Sequence, residues 1–275
     1  MMFALPFPAI DPILIEIGPF AIRWYALAYV LGLILGWRYM LRLARRFPGI
    51  ITEHQVDDFL LWATLGVIFG GRIGYVLFYN FAYFTSHPLQ IFAVWQGGMS
   101  FHGGAIGVIA ALILFCRLRK LSILRVGDLL VCAVPIGLLF GRIANFINGE
   151  LFGRATDVPW AVVFPNGGPV PRHPSQLYEA FGEGLVLFLL LWWMAFFTRA
   201  PQRPGLIAGT FLVGYGIARG MVEVVREPDQ HMGFLFGIVT MGQLLSLPLI
   251  VAGLLLIWHA WREPAIAAQA PRPPR

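Results

Sequence analysis

The sequence is short of charge. Asp, Glu, Lys and Arg make up only 12% of its 275 residues, where soluble domains carry about a quarter. Hydrophobic residues reach 58% and the mean hydropathy is +0.73, which excludes a soluble domain and predicts an integral membrane protein. Lysine is almost missing, since 19 of the 20 basic residues are Arg. The net charge of +6 raises nucleic acid as a partner, but the basic residues sit in short clusters beside apolar runs, the arrangement of membrane-flanking charge. No nucleic-acid partner is expected. Cysteine is limited to Cys116 and Cys132, both in or at the ends of apolar segments; they have no metal-ligand spacing and imply no disulfide framework. A P-loop, HExxH, GxSxG, a Ser/His/Asp array and a metal cluster are all missing, so neither a cofactor nor a metal is expected. Residues 1–22 hold Pro6, Pro8, Pro12 and Pro19 and no basic n-region, which is wrong for a cleavable signal peptide.

What is present is a series of apolar runs. Segments near the roughly 20 residues that a bilayer core requires fall at 22–40, 56–79, 98–116, 126–147, 177–197, 206–225 and 234–258. The expected fold is an all-α membrane protein with seven transmembrane helices. Basic residues gather after the first run (Arg38, Arg42, Arg45, Arg46), between the third and fourth (Arg117, Arg119, Lys120, Arg125), after the fifth (Arg199, Arg203) and after the seventh (Arg262, Arg272, Arg275). The alternate loops hold only Arg154, Arg172 and Arg226, with Arg23 at the start of the first run. By the positive-inside rule the N-terminus lies outside and the C-terminus in the cytoplasm. The loop at about 148–174 then lies on the outer, periplasmic face, and its β-like stretch 158–168 reads as a small cap. Residues 1–262 form one polytopic membrane domain without internal repeats, and 263–275 a disordered cytoplasmic tail. Glycines at Gly66, Gly70 and Gly74, at Gly103 and Gly107, and at Gly216 and Gly220 repeat at the spacing that lets helices approach closely.

One stretch breaks the apolar pattern: Gly141-Arg-Ile-Ala-Asn-Phe-Ile-Asn-Gly-Glu-Leu-Phe-Gly153. Ionisable groups near hydrocarbon are expensive and usually face a polar cavity. On a helix of about 100° per residue, Asn145 lies about 60° to one side of Arg142 and Glu150 about 80° to the other. A fixed cation, carboxamides and bare glycines suit a phosphate ester; an interhelical clamp, with Arg142 paired to Glu150 or Asp128, uses the same residues. Tyr215, Arg219 and Glu223 follow at i, i+4 and i+8, a polar stripe that drifts only about 80° around its helix. Turned inward, the stripe brings Arg219 to the same site; alternatively Arg219 and Glu223 satisfy one another. Arg72 has no local acid and serves either as a further cation or as the partner of a distant carboxylate. His102 sits among Gly97, Gly98, Gly103 and Gly104, either as a structural residue or as a base for a thiol. His173, before Pro174, reads as structural. Tyr25 is an interfacial anchor or a phosphate donor.

The Gly141–Gly153 stretch also resembles the signature of the bacterial prolipoprotein diacylglyceryl transferase family, with Ala144 where that family takes Gly or Ala. The likeness continues through Gly97-Gly-Met-Ser-Phe-His-Gly-Gly104, Arg172-His-Pro-Ser-Gln-Leu-Tyr-Glu179 and Tyr215-Gly-Ile-Ala-Arg219 with Glu223. The resemblance implies a bacterial inner-membrane enzyme that moves the sn-1,2-diacylglyceryl group from phosphatidylglycerol to the lipobox cysteine thiol of a prolipoprotein. A thioether forms and glycerol phosphate leaves. Phosphatidylglycerol and prolipoprotein signal peptides are the implied partners. Arg142 and Arg219 would hold the phosphate, Asn145 and Gly153 would position the headgroup, Glu150 and Glu223 would orient the arginines, and His102 or Tyr215 would take the thiol proton. Tyr25 aligns with a functional tyrosine of the family. The rival class is a transporter or binding protein for an anionic lipid or phosphate ester, which also needs arginines in a membrane cavity.

Overall fold

The computed structural model describes residues 5–8, 10–18, 20–227 and 239–266. Its elements are β1 (Leu5–Pro6), β2 (Ile13–Ile17), β3 (Phe20–Arg23), α1 (Trp24–Arg46), α2 (Glu53–Phe78), α3 (Phe81–Ser86), α4 (Phe101–Arg119), α5 (Ile123–Ile147), β4 (Val162–Val163), α6 (Ser175–Glu179), α7 (Leu187–Phe197), α8 (Leu206–Val222) and α9 (Met241–Arg262). A π-helical turn, Ala180–Val186, joins α6 to α7, so that Ser175–Phe197 is one continuous helix. Six helices are long and apolar enough to cross a membrane, and α8, with 17 residues, is a seventh apolar helix. Each of the seven expected runs thus contains an apolar helix among its described residues. The seventh starts at Met241; residues 234–238 of the expected run lie outside the described residues, as do residues 267–275 of the expected tail.

The chain divides into two compact units, residues 41–127 and residues 1–40 with 128–268. In the first, α2 and α4 form an antiparallel pair. Thr52 starts α2 with a reciprocal cap, its Oγ1 accepting from Gln55 N at 3.2 Å while Gln55 Oε1 accepts from Thr52 N at 2.9 Å. A Cβ on Gly66 would stand 2.7 Å from the Gly107 carbonyl oxygen, and one on Gly74 2.8 Å from Gly103 Cα. The two backbones therefore touch, and dispersion across that seam replaces the hydrophobic effect that lipid cannot supply. At the end where α4 finishes, Arg119 pairs with Asp58 at 2.7 Å. At the other end Ser100 caps α4 by accepting from Gly103 N at 3.1 Å.

In the second unit β2 and β3 form an antiparallel hairpin that leads into α1, and β1 lies parallel to β4 with Leu5 opposite Val162. The 148–174 loop thus supplies one short strand, β4, in its β-like stretch, and the partner strand comes from the N-terminal segment. Asp128 takes the free amides at the start of α8: Gly205 N donates to Oδ2 at 2.8 Å and Ala208 N to Oδ1 at 2.7 Å, a cap supplied by a neighbouring helix. Between α8 and α9 the close approach is at Gly209, whose Cβ would meet the Gly253 carbonyl oxygen at 2.7 Å. The expected Gly216–Gly220 repeat is half used: Gly216 packs on Ile250 and Ser246, whereas Gly220 has nothing within 4 Å among the described residues.

Candidate active site

The site is built on a carboxylate. Glu179 and Glu183 lie four residues apart in the apolar Ser175–Phe197 helix, and both are 0% exposed. Pro174 and the first turn fix where that helix begins: Ser175 Oγ donates to Leu151 O at 3.0 Å and Gln176 Nε2 to Glu150 O at 2.6 Å. Gly184 in the π turn lets α5 close in, since a Cβ there would stand 2.8 Å from Leu139 Cα, and Gly182 faces Ala218 of α8. Wider turns of this kind recur at functional sites. The bare position at Gly184 thus lets α5, which carries Arg142, lie against the helix of the two carboxylates.

Glu179 meets three guanidiniums. Its Oε1 accepts from Arg219 Nη1 and from Arg226 Nη1, the latter at 3.0 Å, and its Oε2 faces Arg142 Nε at 3.3 Å. Arg142 Nη2 also reaches Glu183 Oε2 at 3.5 Å, and Arg219 Nη2 pairs with Glu223 Oε1. Arg142 and Arg219 therefore converge, Arg142 from α5 and Arg219 from α8. The clamp considered from the sequence, Arg142 on Glu150 or Asp128, is not the one formed, since Asp128 caps α8 and Glu150 lies past the end of α5. The self-contained Arg219–Glu223 pair exists but shares its arginine with Glu179. Tyr215 lies within electrostatic reach of Arg142, Arg219, Glu179 and Glu183, and its ring stacks on Phe211.

The helical wheel misplaces Glu150. α5 ends at Ile147, and the chain turns through Gly149 (φ +63°) and Leu151 (φ +57°). Glu150 Oε1 then accepts from Asn145 Nδ2 at 2.8 Å and Asn148 Nδ2 at 3.4 Å. It orients the carboxamides, and the arginines take their partners from a helix that the wheel could not include. Tyr25 is within electrostatic reach of both Glu150 and Arg142, with its hydroxyl 3.2 Å from that of Tyr29.

Gly153 is occupied differently from the expected headgroup contact. Its amide donates to His173 O at 2.8 Å, and a Cβ would meet His173 Cβ and Val225 O, both at 2.6 Å. The segment at Gly153 is laid between the backbone before α6 and the backbone after α8, a role that only glycine fills. Arg154 N donates to Val225 O at 2.8 Å, and its guanidinium reaches the carbonyls of Arg226 and Glu223 at 2.9 and 3.3 Å. Arg172 reaches Gly167 O at 2.9 Å and Glu227 at 3.0 Å. His173 Nδ1 stands 3.2 Å from the Tyr178 hydroxyl, and burial holds this imidazole below the ordinary His value.

His102 belongs to the other unit, exposed in the first turn of α4, with the ring of Phe101 edge-on at 5.7 Å. Arg72 needs no carboxylate. Its guanidinium donates to five carbonyls, those of Gln90 (2.6 Å), Ile91 (2.8 Å), Ala93 (3.3 Å), Gly97 (2.6 Å) and Gly98 (3.1 Å). It is thus a staple for the connector that leads to Ser100 and His102. Among the described residues no group of three His, Cys, Asp or Glu side chains is placed to hold a metal ion.

Three members of the cluster have no role in the sequence reading: Glu179, Glu183 and Arg226. Two acids four residues apart in an apolar span are a legible sign. Arg226 was visible only as sparse loop charge.

Fold and site together define a helical integral membrane protein that carries, among its apolar helices, a buried arginine–carboxylate cluster. Forked guanidiniums drawn to one carboxylate offer the geometry that a phosphate group takes. The family model described as prolipoprotein diacylglyceryl transferase matches residues 12–259, and the chain belongs to this family. It is 61% identical over 274 residues to a phosphatidylglycerol–prolipoprotein diacylglyceryl transferase of Rhodospirillum rubrum, covering 99% of this chain and 100% of that one. Proteins of the same description from Paramagnetospirillum magneticum and Azospirillum brasilense are 61% and 58% identical, covering 98% and 96% of this chain and 100% and 99% of their own.

Proposed function

We propose that this protein transfers the sn-1,2-diacylglyceryl group of phosphatidylglycerol to the lipobox cysteine thiol of prolipoproteins. The sulfur attacks the glyceryl carbon that bears the phosphate, the C–S bond forms as the C–O bond breaks, and glycerol phosphate leaves with the bonding electrons. The observation that carries the reading is the meeting of Arg142 and Arg219 at Glu179 inside an apolar helix set. It is joined by relatives 52–61% identical over nearly the whole chain that bear this name. The chain is a multi-pass protein of the bacterial inner membrane.

Arg142 and Arg219 bind the phosphate and the charge that grows on it as the ester breaks. Glu179 and Glu223 hold the two forks in register before the lipid arrives. Asn145, turned by Glu150, meets the glycerol headgroup, and Gly153 acts indirectly by keeping the loop thin enough to lie beside α6 and α8. Tyr25 serves the headgroup from α1. His102 takes the thiol proton, with Tyr215 as the other candidate, because the thiolate and not the thiol is the nucleophile. The N-terminus lies outside and the C-terminus in the cytoplasm, since basic clusters flank alternate loops.

Purified protein, phosphatidylglycerol and a lipobox peptide form the test. Mass spectrometry should find the peptide heavier by one diacylglyceryl group, with glycerol phosphate in equal amount. An unmodified peptide, with lipid moved across proteoliposomes instead, would transfer the case to the transport reading, which no particular feature of the site favours.

A further inference from the structure

Glu183 is a buried acid with half of its hydrogen-bonding capacity unused. It is 0% exposed; among the described residues its Oε1 has no hydrogen-bond partner, and its Oε2 has one loose contact, 3.5 Å from Arg142 Nη2. Glu179 and Glu223 are held by closer or more numerous guanidinium contacts. The groups facing Glu183 are Arg142 from α5, Glu179 from its own helix, and Tyr215 and Arg219 from α8.

Among the described residues the cluster joins Arg142, Arg219 and Arg226 to Glu179, Glu183 and Glu223. It is formally neutral without a ligand. Adding the next cation, Arg154, and the next acid, Glu150, leaves the balance at zero. A phosphodiester carries one negative charge, so its arrival leaves the site one charge in excess where charge is poorly screened. Arg142 must also turn from Glu183 toward the phosphate oxygen.

We infer that Glu183 is the positioning residue that surrenders Arg142 to the lipid phosphate and takes up one proton from solvent as it does so. The Arg142 Nη2–Glu183 Oε2 contact breaks, Arg142 donates to the phosphate, and the carboxylate becomes a neutral acid whose new O–H can donate. The net charge of the site is the same before and after the lipid enters. The inference rests on the reading of Arg142 as a phosphate ligand.

Isothermal titration of the full chain in detergent with short-chain phosphatidylglycerol, in two buffers of different ionisation enthalpy near pH ~8, gives the proton count directly. About one proton should be taken up per lipid bound. Wild-type affinity should fall by up to about tenfold per pH unit above the range in which the acid is neutral in the complex, and that of Glu183→Gln should stay flat with no uptake. Wild-type binding without proton uptake overturns the inference, and needs no variant to fold. Uptake that persists in Glu183→Gln assigns the proton elsewhere and overturns it too. Arg142→Ala separates the two levels. If it loses the lipid while wild type takes up no proton, the phosphate reading stands and the proton is wrong; if it binds as well as wild type, the phosphate reading itself falls and this inference with it.

Discussion

Arginine and lysine carry the same charge, and the site depends on the difference between them. Arg142 spreads over Glu179 and Glu183, which requires a fork that lysine lacks. Arg142→Lys should therefore lose transfer by about 10² or more while still inserting, a loss of roughly 2.7 kcal/mol of transition-state stabilisation; transfer to a lipobox peptide and the amount of folded protein in membranes measure the two. Near-normal turnover would mean that Arg142 only clamps helices. If His102 is the base, His102→Gln should slow the chemical step by about 10² to 10⁴ and recover as pH rises toward the thiol's pKa near ~8.5. Single-turnover profiles that run parallel to wild type at unchanged rate would pass the proton to Tyr215. Arg142, Asn145 and Arg219 were legible because each polar group interrupts an apolar run. The partner of Arg219 at Glu223 was legible too, but that of Arg142 was not: helical spacing offered Glu150, and only the turn at Gly149 and Leu151 takes it away.

Helices here meet where side chains are missing, and the sequence half reveals where. The Gly66, Gly70, Gly74 series on α2 meets Gly103 and Gly107 on α4 as spacing suggests, but Gly182 and Gly184 fit no such repeat, because a π turn changes which residues share a face. Their effect reaches the site. Gly184→Leu would drive side-chain atoms into the backbone of α5 at Leu139 and should cost about 1–3 kcal/mol of stability. It should also pull Arg142 from Glu179, so that activity falls further than the loss of folded protein explains. Equal losses in both would leave the π turn as packing alone.

For the molecule as a whole, the seven apolar helices were legible because they rest on local composition, and the proposed assignment of the two membrane faces rests on the basic clusters alone. A reporter that works only in the cytoplasm, fused after Arg262, should be active, and one inserted in the 158–168 stretch should be silent. The reverse pattern would invert the topology and move the site to the inner face. What composition could not supply was closure. The segment around Gly153 meets the chain near His173 and again near Val225, contacts between residues far apart in sequence that leave no periodic trace.

The buried ion cluster also governs how this chain can be made. Glu179 and Glu183 are synthesised before Arg219 and Arg226, so the Ser175–Phe197 helix enters the bilayer before two of its three arginine partners have been made. Until α8 arrives, Glu179 keeps only Arg142, and a buried acid left without its partner costs about 3–5 kcal/mol. A nascent product stopped near residue 204 should be cleared rapidly by membrane proteases, and Glu179→Gln in that same truncated product should lengthen its half-life in a pulse-chase. Equal decay of the two would show that biosynthesis tolerates the unpaired acid. If the half-life does lengthen, the acid that gathers the three arginines also decides which newly made chains survive.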